Sequence, residues 1–67
     1  MDDSLTHIAE HPENYYAFDS DDQMIDVMSV MHDALEGSIS LVESDENWGV
    51  WFFSNGVSVC RDSGDTE

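Results

Sequence analysis

The chain has no lysine, and Arg61 is its single arginine. Against that one cation stand 16 carboxylates, giving a formal net charge of −15 at pH 7. A field of this sign repels nucleic acid and anionic lipid and speeds encounter with basic surfaces. Direct binding to DNA, RNA or a membrane is therefore not expected, and a basic partner is. Cysteine is nearly absent too: Cys60 stands alone, which excludes an intramolecular disulfide framework and a cysteine-based zinc site. No apolar run approaches the roughly 20 residues of a membrane span. The acidic N-terminus lacks the basic and apolar segments of a secretory signal. A soluble, cytoplasmic protein is the expectation.

What is present fits one small domain. A length of 67 residues leaves room for no more, and a chain of that size buries only a modest share of its surface. A hydrophobic content of 40% nevertheless points to a folded core rather than disorder.

Residues 20–37 carry the clearest helical pattern. Ser20 and Gln23 have the spacing of a capping box, Asp21 and Asp22 suit the positive end of a helix dipole, and Gly37 suits a left-handed stop. Met24, Met28, Met31 and Leu35, widened by Val27 and Ala34, form an apolar stripe for the core. The opposite face carries Asp22, Asp26, Ser29, Asp33 and Glu36 without a basic residue to pair them. Like charges four residues apart cost a helix about 0.2–0.5 kcal/mol per pair, so such a face suits the presentation of negative charge.

Before this helix, residues 1–12 suit a short helix with Asp3 as a possible N-cap, Leu5, Ile8 and Ala9 as its apolar patch, and His11-Pro12 as its end. Residues 14–18 read as a short strand or an extended arm. After Gly37 the period changes from 3.6 to 2. Residues 38–43, 48–53 and 57–61 read as strands, with a polar turn at 44–47 and an Asn55-Gly56 signal for a type I′ hairpin. The expected fold is α+β, one long amphipathic helix on a three-stranded antiparallel sheet, with the Trp48, Val50 and Phe52 face toward the helix. Residues 1–61 form the single domain and 62–67 an acidic, disordered tail.

Catalytic chemistry finds no support in these residues. His7 and His11 stand at i, i+4, but the zinc-protease pattern is absent and Pro12 follows at once. Carboxylate pairs are too abundant to mean anything without a pocket that separates their pKa values. Cys60 has no histidine near it in sequence, and no glycine-rich phosphate loop exists. Neither catalytic residues, metal ligands nor a cofactor are expected. The candidate residues are instead those of an acidic contact surface: Asp19, Asp21 and Asp22 at the helix start, Asp26, Asp33 and Glu36 along it, and Glu43, Asp45 and Glu46 at the first hairpin. Along a helix, Asp22 and Asp26 would be about 6 Å apart, about twice the roughly 3.4 Å axial phosphate step of one DNA strand.

In size, composition and its acidic helix over residues 20–37, the chain resembles the phage-encoded DNA-mimic proteins, including acidic anti-CRISPR proteins. The resemblance rests on no sequence motif and carries over no residue roles. It implies inhibition by occupancy: a monomer fills the basic groove of a nucleic-acid-binding protein, such as a CRISPR surveillance complex, and excludes DNA. Two alternatives share the composition. One is a halophile protein with a generic acidic surface, favoured by the absence of lysine and the excess of aspartate over glutamate. The other is an acidic binder that neutralises a basic protein such as a restriction enzyme, a repair glycosylase or a toxin.

Overall fold

In the computed structural model of the chain, residues 3–62 are described. The order is α1 (Asp3–Glu10), a single 3-10 turn (Pro12–Asn14), β1 (Tyr15–Phe18), β2 (Met24–Ile25), α2 (Val27–Glu36), β3 (Leu41–Asp45), β4 (Val50–Phe53) and β5 (Ser58–Arg61). The α+β class matches expectation. Its details differ, with two helices and a five-stranded antiparallel sheet of order β2-β1-β5-β4-β3. The first helix ends at Glu10, two residues before Pro12, and the His11 N–H closes it by donating to the His7 carbonyl at 3.1 Å.

The central helix is shorter at its start than the sequence pattern suggests, and Asp19 is the reason. Its Oδ1 accepts from the backbone N–H groups of Asp21 and Gln23, each at 2.9 Å. Its carbonyl accepts from the Asp22 N–H at 3.0 Å. These bonds close a hairpin loop, and β1 pairs with β2 through Ala17↔Ile25 and Phe18↔Met24. Aspartate side chains commonly compete with a helix in this way. Ser20 is thus not an N-cap and Gln23 completes no capping box. Asp21 and Asp22 lie outside the helix, and Asp22 adopts the left-handed region at φ 64°. The N-cap is Asp26, whose side chain makes no capping bond. Only the stop agrees with expectation. Gly37 has φ 96°, and the N–H groups of Gly37 and Ser38 both donate to the Asp33 carbonyl, at 3.1 and 2.9 Å.

A three-strand meander is present as β3-β4-β5, with a bulge between Leu41 and Glu43. Its bounds differ from expectation: β3 starts at Leu41 rather than Ser38 and runs through Ser44 and Asp45, expected as turn, while Trp48 and Gly49 lie in the turn rather than in β4. Residues 14–18 contribute β1, which pairs with β5 from Tyr15↔Arg61 to Phe18↔Ser58. The β4–β5 turn is not type I′, because Gly56 has a positive φ and Asn55 does not. The Gly56 N–H donates to the Phe53 carbonyl at 3.0 Å, a type I turn closed by a left-handed glycine. Asp62, assigned above to the tail, belongs to the folded unit: its N–H donates to the Asn14 carbonyl at 2.8 Å. Residues 63–67, where the expected disorder falls, lie outside the described residues.

Both helices cover the same face of the sheet. Tyr15, Ala17, Trp51, Phe53 and Val59 are buried there with Ile8 of α1 and Val27, Val30 and Met31 of α2. The expected sheet orientation is therefore reversed. Trp51 and Phe53 are 3% and 4% exposed, whereas Trp48 is 81% and Phe52 44% exposed. Strand pairing decides this, since it aligns Ile25, Ala17, Val59 and Trp51 in one apolar row whose only polar member is the exposed Ser44 at the β3 edge. The rows on the other face include Ser58, Cys60, Glu43 and Asp45. Burying the apolar row avoids desolvating those polar groups. The helix stripe shifts with it: Val27, Val30 and Met31 are in the core, while Met24, Met28 and Leu35 are exposed. Inside the core, Trp51 meets Tyr15 edge-on with ring centroids 5.7 Å apart, and its Nε1 is buried without a protein acceptor among the described residues.

Candidate functional site

The acidic residues decorate the surface of this two-layer frame. No charged side chain is buried among the described residues, and the fold sorts the expected contact residues into three groups.

The first is the β1–β2 loop. Asp19 spends one carboxylate oxygen on the loop's own N–H groups, while Asp21 and Asp22 are exposed. The second group lies on α2. Asp26 and Asp33, with Met28, Ser29 and His32, line an open hollow of about 470 Å³. Glu36 follows, accepting from the Ser38 hydroxyl at 2.6 Å. His32 Nδ1 stands 3.7 Å from Asp33 Oδ1 and 3.7 Å from Glu36 Oε1. Donor atoms of His32, Asp33 and Glu36 all lie within 4.8 Å of one another. A search for histidine pairs misses this group. Its signal is the i, i+1, i+4 spacing of one histidine and two carboxylates on a helix. A structural zinc site closes with four protein ligands, and this group offers three, all accessible to solvent. The pair that the sequence did suggest is otherwise engaged. The His7 and His11 rings are 4.9 Å apart, but His7 Nδ1 is hydrogen-bonded with the Tyr15 hydroxyl at 3.0 Å and His11 faces Glu13 at 3.8 Å.

The third group is Glu43, Asp45 and Glu46, on β3 and the turn after it. Asp45 Oδ1 accepts from the N–H groups of Asn47 and Trp48 at 3.1 and 3.4 Å, and Glu46 Oε2 accepts from the Ser4 hydroxyl at 3.2 Å. Arg61 reaches the same turn, yet its Nη2 donates to the backbone carbonyl of Glu46 at 3.3 Å. Gly49 makes that reach possible. Its φ is +70°, and a Cβ there would stand 2.8 Å from Arg61 Cβ.

Strands β2 and β3 are the two opposite edges of the sheet. The loop cluster that leads into β2 and the Glu43–Asp45–Glu46 cluster are therefore separated by the full width of the sheet. The single ladder expected from Asp22, Asp26, Asp33 and Glu36 does not form, because Asp22 sits in a hairpin loop and Asp26 stands at the N-cap position just outside the helix. The result is separate acidic patches. One further carboxylate changes a neighbour: Asp62 raises the Tyr16 pKa above the usual 10.0, first by its charge and then by accepting the Tyr16 hydroxyl at 3.2 Å.

Neither a protein-family model, a curated protein nor a solved structure matches the chain.

Proposed function

We propose that the protein is a non-enzymatic, acidic inhibitor that occupies the basic nucleic-acid-binding groove of another protein and keeps DNA out of it. The class of target that its resemblance to anti-CRISPR proteins implies is a CRISPR surveillance complex. One observation carries the reading. Sixteen carboxylates face a single arginine, no described charge is buried, and that arginine is bonded to a backbone carbonyl. The negative charge is thus left for a partner. Arginine and lysine side chains would meet it through charge-assisted hydrogen bonds, which are about twice as strong as neutral ones. Separate acidic patches on two edges suit the two sides of a groove better than one continuous stripe would.

Competition is the direct test. Titrated into a complex of a basic DNA-binding protein with labelled duplex DNA, the protein displaces the DNA and leaves it chemically unaltered. A ternary complex without mutual weakening overturns mimicry.

Ten aspartates against six glutamates, with no lysine, favour salt adaptation as the second reading. Folding in low-salt buffer separates the two, since a salt-adapted domain needs molar salt and an inhibitor does not.

A further inference from the structure

The sheet has a second face, and neither helix covers it. Backbone register aligns Met24, Phe18, Ser58, Phe52 and Glu43 in one row across all five strands, and Tyr16, Cys60, Val50 and Asp45 in the next. Six of these residues are apolar or aromatic in character: Met24, Phe18, Phe52, Tyr16, Val50 and Cys60. Each is exposed or partly exposed, at 66% for Met24, 44% for Phe52 and 43% for Tyr16. Isolated apolar residues on a surface mean little, but a contiguous patch rimmed by polar groups marks an interaction site.

The rim is acidic on β3, beside β1 and at the β1–β2 loop, and polar but uncharged at the Ser54-Asn55-Gly56 turn. Glu43 and Asp45 close the two rows on β3. Asp62 accepts from Tyr16 at the β1 side. The Asp19–Asp21–Asp22 loop follows Phe18 directly. Arg61 is not part of this rim, because it pairs with Tyr15 of the helix-covered face.

We infer that this open sheet face is the centre of the contact surface, and that its occupant is a basic protein surface with an exposed apolar or aromatic core ringed by lysine or arginine. The inference rests on the reading of the partner as basic, and it adds where the partner sits and why binding exceeds simple charge attraction. A second copy of the chain does not fit. Five strands spaced about 4.8 Å apart and about 13 Å long give roughly 300 Å² of face. Two such faces stacked supply about half of the roughly 1,200 Å² at which stable interfaces begin, so any occupant must engage the rim as well. Each copy would also bring a charge of −15 and one arginine. A basic partner turns the same rim from a repulsive ring into an attractive one.

Two probes test this with the full chain: an amphipathic Leu/Lys helix and an oligolysine of equal charge, titrated at about 0.15 M salt, where the Debye length is about 8 Å. The Leu/Lys helix binds at least about ten-fold tighter than oligolysine, and its amide shift changes centre on Tyr16, Phe18, Phe52 and Cys60. Phe52→Thr and Tyr16→Thr, both on the open face, reduce its affinity to that of oligolysine while keeping the circular dichroism spectrum. Equal binding of the two probes overturns the sheet-face assignment and leaves the basic-partner reading standing. Failure of both probes to bind overturns both. Shift changes centred on Asp33 and Glu36 place the contact on α2 and overturn the assignment. A dimer in sedimentation that Phe52→Thr dissolves makes a second copy the occupant and overturns it as well.

Discussion

Asp22 and Gly56 hold equivalent positions in two hairpin loops of one design. In each, the first loop residue accepts from the residue three further on, at 3.0 Å, and donates to the residue four further on, at 2.9 Å. The left-handed residue is Asp22 in one loop and Gly56, at φ 88°, in the other. A side chain in that region costs about 1–2 kcal/mol, less for aspartate. Asp22→Gly is therefore expected to stabilise the fold by about 0.5–1 kcal/mol, whereas Gly56→Ala destabilises it by more than about 1 kcal/mol. The alanine Cβ would also stand 3.0 Å from Ser20 Cβ. Denaturant midpoints of the two variants check the opposite signs. Tyr16 gives a pH signature at the same scale. Its folded pKa is raised by Asp62, so the neutral phenol is favoured by folding. That contribution is fully present below about pH 10, the unfolded tyrosine value, and is lost as pH rises through the higher folded value. Asp62→Asn lowers the Tyr16 midpoint in an ultraviolet titration.

At the scale of the element, α2 shows which of two apolar stripes packs. Met31 is fully buried and Met28 is 42% exposed. Met31→Asp places a charge in the core and is expected to unfold the domain, because small domains hold only about 5–15 kcal/mol of stability. Met28→Asp, on the solvent side of the same helix, leaves a cooperative melt. Equal damage from both would mean that the helix packs through a different face. The double change Asp26→Asn and Asp33→Asn keeps the fold, since neither carboxylate is buried and Asp26 makes no capping bond. It removes two charges from the hollow beside Met28, in the layer opposite the open sheet face. It is expected to weaken binding to a basic partner far less than Phe52→Thr does, since charges beyond a Debye length are largely screened. A loss of affinity as large as that from Phe52→Thr would place the contact on α2 instead.

Taken whole, the molecule is a thin two-layer frame carrying charge of one sign on its loops and edges. Screening acts on its stability and on its binding in opposite directions. Raising salt from about 0.1 M to about 1 M shortens the Debye length from about 10 Å to about 3 Å, which relieves repulsion among the carboxylates and raises the melting temperature. Over the same range, the purely electrostatic part of partner binding weakens. The apolar centre of the open face is indifferent to screening, so affinity falls to a plateau rather than to zero. Calorimetry and a salt series of binding isotherms, run on the same samples, read both trends.

By itself the sequence determined what is local or compositional. The acidity needs no fold, and the Gly37 stop needs only one residue that accepts a positive φ. The existence of β4 and β5, within a residue or two of their bounds, follows from alternation and aromatic content. Elements decided by which strand they pair with were a different matter. Met24 and Ile25 match a helical stripe as well as they match a strand, and pairing with β1, secured by the Asp19 loop, decided for the strand. The inward face of β4 was equally open, since Trp48, Val50 and Phe52 are as apolar as Trp51 and Phe53. Only the arrival of Val59 beside Trp51, with Ala17 on the far side of Val59, fixed which face the helices would cover. The candidate surface inherits that dependence. Carboxylates could be named from the sequence, but their separation onto two sheet edges, and the apolar face between them, exist only once five strands have chosen their neighbours.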